Sequence, residues 1–495
     1  MFYENNLPIK NIKVKNSKLA LFGSIDYDDK ASQLPLEKSM MITNFGSCGD
    51  ALVDGLGIAD LSFRYDKNFP NDRKAIDGLA GGYYYKAAWR FCMQDISSGG
   101  YMTFLILQSS NGDFYFNRLD TSSSSVTRID DLNLSDVPLV TVYNIGGRDS
   151  LILVSKSKGM YVWQYPQNVI KVDNVPLMSS MCIINDRLFV TVYDDVYKIY
   201  YSDNLDPTNF NISSREGGII ELPIEMGKCN KVVSFDGDLY VFRDFGISRI
   251  STYGDPKEFE VVSSIVSNGR IFEKTVCVCG DKILYLASDG LYKFDGNKST
   301  KIDTGVNSLL NNASQDYSVA GFCDGYYYLS CNLDYQDNVH LPEGSYNNNS
   351  FIRYNVTCGM LDILCGYDVM DIYIINDTIE SSVCVLSRKP GSIYRFGTVG
   401  ILGKYFNENT SKVWQSHKVD MSTNKDKILK SLSLETRQDI EVVVRTDCGD
   451  KIINVAGRVG IQDIRVNIKC KWFAIDIVSK GVNNYICHPY VSVGV

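Results

Sequence analysis

Histidine is almost missing from this chain: three residues, His340, His417 and His488, in 495. They stand far apart, and none belongs to a His-x-x-x-His or His-Glu pairing of the kind a zinc site needs. No Gly-x-Ser-x-Gly elbow occurs, so a Ser-His-Asp triad has no local support. No Gly-x-x-x-x-Gly-Lys-Ser/Thr occurs either, and Asn297-Lys298-Ser299 after Asp295-Gly296 reads as a turn rather than a phosphate loop. Positive charge is not in surplus. Lys and Arg number 50 against 58 Asp and Glu, a formal net charge of −8, which argues against coating nucleic acid. There is no basic or acidic tail. No run of about 18 apolar residues exists, so no membrane span is expected. The segment Met1 to Asn6 lacks a basic-then-apolar signal pattern, and synthesis in a reducing cytoplasm is expected. Cysteine is present, 14 residues, but without a Cys-x-x-Cys pair. Cys182, Cys277, Cys279 and Cys470 lie inside apolar alternation, which reads as reduced, buried thiols rather than a disulfide framework. Against 4 Trp stand 32 Tyr, 22 Phe and 39 Gly, a β-sheet composition.

What is abundant is repetition. Three consecutive copies of one unit run from Cys182 to Gly296. Each has a turn and a strand: Asn185-Asp186 before Arg187 to Val190, Asp236-Gly237 before Asp238 to Phe242, and Gly280-Asp281 before Lys282 to Leu286. A second strand follows each: Val196 to Tyr200, Gly246 to Ile250, and Gly290 to Phe294. The Asp/Gly turns have hairpin chemistry, and the aromatic and β-branched residues suit a half-buried pleated surface. The interval of about 45 to 50 residues between turns is what a four-stranded propeller blade needs.

Further copies flank these three. Tyr83 to Phe91, Thr103 to Leu107 and Asp113 to Phe116 make one blade, the last strand following an Asn111-Gly112 turn. Leu139 to Tyr143, Asp149 to Val154 and Gly159 to Trp163 make the next. Downstream, Asp324 to Ser330 and Ser350 to Tyr354 bracket a polar insertion, Asp334 to Asn349, expected to project from one rim. The last copy pairs Ser382 to Leu386 with Gly391 to Gly397. That is about seven units. Six or eight are also compatible, because the outermost strands are weakly patterned, and the ring must close to remove its edges. The expected fold is all-β: an N-terminal arm over residues 1–77, a β-propeller over 78–404 and a C-terminal β-sandwich over 405–495. The arm has room for a short helix around Leu36 to Asn44. The sandwich strands start at Lys427, Ile440, Lys451, Ile464, Lys471 and Tyr490.

Few residues invite chemistry. The acidic pairs Asp130-Asp131 and Asp194-Asp195 are adjacent, and neighbours on a strand point to opposite faces, so neither suits two acids flanking a glycosidic bond. Both read as solvated turns. The Ser-x-Asp-x-Gly-x-x-x-Trp turn of sialidase-type propellers is absent, as is the Trp-Asp signature of signalling propellers. Tyr83 to Tyr85 and Tyr326 to Tyr328 read as core and inter-blade packing, with each middle ring opposite its neighbours. Cys277 and Cys279 share a strand face and read as two small buried side chains. No catalytic, cofactor-binding or metal-ligating residue is singled out, no cofactor is expected, and the chain is read as non-enzymatic.

One segment is more specific. Tyr200-Tyr201-Ser202-Asp203-Asn204-Leu205-Asp206-Pro207-Thr208-Asn209-Phe210 is followed by Gly218 to Pro223, Leu239 to Arg243 and Ser288 to Gly296. This order resembles the β-propeller tail proteins of tailed bacteriophages, among them tail-hub or stabilisation accessory proteins and the nozzles of short-tailed phages. Gly23 to Asp28 with Leu34-Pro35 and Asn44 is similar to their N-terminal arm, and Arg465 to Val495 to their terminal sandwich. The resemblance covers most of the chain, best from about 180 to 300. The insertion at Asp334 to Asn349 departs from it. It implies a virion tail component: a homo-oligomeric ring of about six copies, contacting portal-adaptor and other tail proteins. DNA would pass through a negative lumen without sequence-specific binding. The alternative, from another class, is a host-surface glycan-binding tail protein that uses rim aromatics and the Asp334 to Asn349 loop.

Overall fold

A computed structural model describes residues 14–18, 25–28, 39–48, 51–69, 71–95, 99–214, 216–335, 344–376, 379–420 and 425–494. Their regular structure is strand apart from five short 3-10 turns, and no helix among them is long and apolar enough to cross a membrane.

Hairpin chemistry sets the blades. In four of them the turn between the first two strands holds two successive residues at positive φ: Gly146-Gly147, Asn185-Asp186, Asp236-Gly237 and Asp324-Gly325. That is the type I′ turn, whose twist matches that of the strands it joins. Six antiparallel four-stranded sheets follow in order, starting at Tyr85, Leu139, Met178, Cys229, Cys277 and Val319. The first strand of each blade is innermost and the fourth outermost. The second strand lies between neighbouring blades and is buried on both faces, as Phe104, Leu105, Ile106 and Leu107 show at 0% exposure. These second strands are therefore continuous apolar runs rather than the half-buried alternation expected from the sequence.

A seventh blade completes the disc. Asp368–Asn376, Ser381–Arg388 and Arg395–Ile401 provide three strands, and Leu56–Asp60, from far upstream, provides the fourth. Its register runs from Gly397 opposite Asp60 to Ile401 opposite Leu56. Separate buried clusters fill six of the seven seams between blades, and the seam between blades 5 and 6 is filled by a larger core. Ile375, Cys384 and Phe396 of blade 7 meet Ala88, Leu105 and Leu107 of blade 1, which closes the ring. The propeller has seven blades.

The sandwich is larger than expected and draws on the N-terminal residues. One sheet has the order Phe45–Cys48, Ala51–Asp54, Tyr485–Gly494, Lys427–Thr436, Arg458–Cys470, and Val14–Lys18 also pairs with Tyr485–Gly494. The other has the order Ser39–Thr43, Lys412–Ser416, Phe473–Ser479, Ile440–Thr446, Lys451–Val455. Leu429, Leu432 and Val491 from the first face Val442, Ile475 and Ile477 from the second within one core. That core continues without a break into blades 5 and 6 through Met41, Ile42, Phe45 and Trp414.

Hydrogen-bond ladders therefore cross both expected boundaries. Residues 39–48 and 51–54 belong to the sandwich and 56–60 to the propeller, so the described part of 1–77 is not a separate arm. Lys404–Tyr405 and Glu408–Asn409 extend blade 7, and the sandwich resumes at Lys412. The helix considered around Leu36 to Asn44 is instead a strand over its described residues, Ser39–Thr43. It is fixed by pairing with Lys412–Ser416 and by Trp414 Nε1 donating to Ser39 Oγ at 2.8 Å. Local propensity yields there to a distant strand partner.

Polar side chains pin the crossings. Asn44, at φ 61°, donates from Nδ2 to the Ser411 carbonyl at 2.6 Å and accepts from the Cys365 N–H at 2.8 Å. Asp54 accepts from Asn483 N and Asn484 Nδ2, both at 2.7 Å. Lys74, on the hairpin Ser62–Arg64/Arg73–Ala75, is 5% exposed and donates to Asn117 Oδ1 at 2.7 Å and the Ser123 carbonyl at 3.0 Å. Burial, opposed by the charge of Asp120, pushes its ammonium down to about 8.

Two outcomes follow from these contacts. A Cβ on Gly57 would lie 2.4 Å from the Lys404 carbonyl oxygen, so Gly57→Val should displace the closing strand and cost about 1–3 kcal/mol or more in urea unfolding. Lys74 binds its proton less tightly folded than unfolded. Its stability contribution is therefore smallest below pH 8 and grows as pH rises from about 8 towards 10.5. Relative to Lys74→Met, unfolding free energy should rise by roughly 2–4 kcal/mol across that window; a flat difference would show that Lys74 does not titrate there.

Candidate ligand cleft between blades 1 and 2

The residues weighed for chemistry do not converge. His417 is buried in the sandwich, His488 is exposed on Tyr485–Gly494, and His340 lies outside the described residues. Asp130 and Asp131 are exposed, not in a turn but on the outer strand Thr127–Asn133, where Asp131 takes φ 61°. Asp195 accepts from Lys198 Nζ at 2.9 Å and Tyr200 Oη at 3.3 Å, while Asp194 is solvated. Among the described residues no group of three His, Cys, Asp or Glu is placed to hold a metal ion. Cys279 is buried, Cys277 half-buried, and burial raises both thiols, that of Cys277 to about 11. On the inner strand of blade 7, burial raises the carboxyl of Asp371, which accepts from Tyr373 Oη at 2.7 Å.

The tyrosine runs behave as strand periodicity demands. Tyr327 packs towards blade 5 and donates to the Thr275 carbonyl at 2.8 Å, whereas Tyr326 and Tyr328 pack on the blade 7 side. Tyr83 is half exposed and precedes the first strand, which begins at Tyr85. Within the described part of the insertion Asp334 to Asn349, Asp334, Gly344 and Ser345 are exposed, and its last two residues depart from expectation. Asn348 and Asn349 are buried rather than projecting. Asn348 donates to the Tyr317 and Val369 carbonyls at 2.8 and 2.9 Å, and Asn349 exchanges two 2.8 Å bonds with the Leu333 backbone. Amides there satisfy backbone groups that the interrupted blade leaves unpaired.

A cleft of about 450 Å³ opens where blades 1 and 2 meet. Blade 1 contributes Met93 and Gln94 from the end of its inner strand, and Met102 from the next. The Gly146-Gly147 turn carries the chain back so that Arg148 and Asp149 open the second strand of blade 2 at the cleft wall. Gln164 and Tyr165 follow the third strand, Gly159–Trp163, and make the opposite side. The Tyr165 ring is held by Phe104 at 4.9 Å, Phe116 at 5.6 Å and Trp163 at 6.0 Å between centroids. Asp149 accepts from Asn144 Nδ2 at 3.1 Å and from the Gln94 N–H at 2.9 Å. Gln164 Nε2 donates to Ser150 Oγ at 2.8 Å. The Arg148 side chain is exposed and has no hydrogen-bond or ion-pair partner among the described residues.

A larger depression of about 720 Å³ lies on the sandwich, but charged side chains such as Glu441 and Lys480 line it without an aromatic platform, and Asp439 is engaged by the Gly457 N–H at 2.8 Å. The cleft between the blades is better organised for a ligand: apolar floor, fixed ring, oriented carboxylate and an uncommitted cation. Sequence reasoning missed it because its residues come from three separate segments that only blade packing unites. The one local signal is the Gly146-Gly147 turn with Arg148 directly after it. If the ring is held as described, Phe104→Ala should loosen Tyr165 and cost about 3–5 kcal/mol, read by urea unfolding.

No family model matches the chain, and no curated protein matches it. Among solved structures the chain is similar to BBS1N in crystals of its complex with ARL6DN soaked with mercury, at a TM-score of 0.40 and 10% identity, over 66% of this chain and 93% of that one. The same complex soaked with lead gives a TM-score of 0.39 at the same identity and coverage. A likeness this distant carries nothing about function, and the propeller assignment rests on the strand ladders.

Proposed function

We propose that this chain is a non-enzymatic structural subunit of a bacteriophage tail, a hub or nozzle protein that joins further copies of itself in a ring below the portal and adaptor. The observation that supports it is that, among the described residues, one outer strand is left open on an otherwise closed disc. Blade 4 ends in Glu260–Val266, whose residues are exposed at six of seven positions and carry one charge. Val262, an extra residue at a bulge, is 51% exposed and Val266 69%. Beside Val266, Phe245 adds exposed apolar surface.

The other outer strands are blunted. Thr127–Asn133 carries Arg128, Asp130 and Asp131. Ile170–Val172 and Ser299–Lys301 have three residues each and Gly218–Glu221 four. Leu361–Cys365 is covered by Asn44, whose N–H donates to the Ile363 carbonyl at 2.7 Å, and Leu56–Asp60 by Tyr405. A long apolar edge without such protection is a template for another strand. A rigid disc with one such edge suits a subunit built to be joined, and a net charge of −8 suits a wall past which DNA slides.

Light scattering on the purified protein should give a defined oligomer, and Val262→Lys with Val266→Lys should return it to monomer with an unchanged melting temperature. A monomer at every concentration would overturn the ring. Electron microscopy of virions should place the protein at the neck or tail tip; finding it solely in infected-cell cytoplasm would overturn the tail assignment.

A further inference from the structure

We propose that the cleft between blades 1 and 2 binds an acidic saccharide, with a sugar ring against Tyr165 and its carboxylate on Arg148. The inference goes beyond the structural role and does not depend on ring formation.

Four features of the cleft choose the ligand. Tyr165 is a platform fixed in advance: three aromatic rings within 6.0 Å hold it, so stacking a sugar on it costs little side-chain entropy. Met93 and Met102 continue that apolar surface and match the C–H face of a pyranose. Asp149 and Gln164 are planar polar groups already oriented by Asn144, the Gln94 N–H and Ser150, and each retains acceptor capacity for vicinal hydroxyls. Arg148 is a guanidinium with no protein counter-ion, because the adjacent carboxylate is committed elsewhere. Its two-pronged donor geometry fits a carboxylate.

The same features reject other classes. A purely apolar ligand would leave Asp149, Gln164 and Arg148 desolvated without partners. A phosphate dianion would bring two charges against the Asp95 and Asp149 carboxylates, with Arg148 as the one cation among the described lining residues and no helix N-terminus to receive it. A uronate brings a single charge, which pairs with the Arg148 guanidinium, and 450 Å³ accommodates a small saccharide.

The test uses the full chain with its methionine methyls labelled with carbon-13. It is titrated with a glucuronate-terminated disaccharide, a neutral glucose disaccharide and inorganic phosphate. The uronate should shift the Met93 and Met102 methyl resonances, change the fluorescence of Trp163, and bind at least about tenfold more weakly to Arg148→Gln while Arg148→Lys recovers part of the loss. Arg148 is exposed, so these variants should keep the wild-type melting temperature. Tyr165→Phe keeps the ring and should retain most of the affinity. Equal binding of the neutral disaccharide with no effect of Arg148→Gln overturns the assignment of an acidic ligand. Phosphate competing as well as the uronate overturns the saccharide. Absence of methyl shifts at Met93 and Met102 up to high millimolar sugar overturns the site altogether. Loss of uronate binding with the oligomer intact separates this failure from that of the ring.

Discussion

The disc depends on five residues that reach it from far upstream. Leu56–Asp60 supplies the outer strand of blade 7, while the three inner strands of that blade come from residues beyond 367. Blades pack face to face, and every second strand is buried on both sides only if each blade has two neighbours. Without closure, the outward face of the last blade would present Ile375, Cys384 and Phe396 to water. The closing strand is held close: Gly57 and Gly397 let backbone run against backbone where a side chain would collide. Loop closure over so long a span costs entropy that grows slowly with length, and the buried seam clusters offset it.

The same N-terminal segment carries the sandwich. Before it reaches blade 7 it contributes Ser39–Thr43 to one sheet and Phe45–Cys48 and Ala51–Asp54 to the other. Propeller and sandwich therefore share an apolar core through Met41, Phe45 and Trp414, and share polar anchors at Asn44 and Asp54. Inter-domain motion is the default where an interface is small and polar. Here the interface is a continuous core crossed by strands, so the two parts behave mechanically as one body. Such rigidity suits a part that transmits position rather than one that opens and closes.

Closure and rigidity also decide where a ligand can be held. A blade face is sealed by its neighbour, so concavities arise at the ends of seams, where strands stop and turns spread apart. The cleft of Met93, Arg148, Asp149 and Tyr165 is such an end, and the aromatic cluster beneath it is the seam itself. The exposed edge Glu260–Val266 has the complementary origin: it is a blade's outer limit, which closure of the ring does not cover.

The sequence by itself determined the repeating unit. Turn pairs such as Asp236-Gly237 and Asp324-Gly325 dictate left-handed backbone, the strands between them are apolar or aromatic, and both signals are local. The inner three strands of blades 1 and 2, the two middle strands of the other blades and six strands of the sandwich were legible for that reason. The opposed rings of Tyr326 to Tyr328 were legible as well, since strand period is local too. Leu56–Asp60 was not, because nothing in five residues names a partner more than three hundred positions away. Ser39–Thr43 read as helix-compatible until Lys412–Ser416 offered a ladder, and Asn348 read as a loop residue until the backbone groups it satisfies stood beside it. The cleft was hidden for the same reason: Tyr165 and Arg148 acquire a shared meaning only when blades 1 and 2 pack. Local chemistry chose the blade, and long-range pairing chose how many copies close, what the first residues join and where the surface is left open.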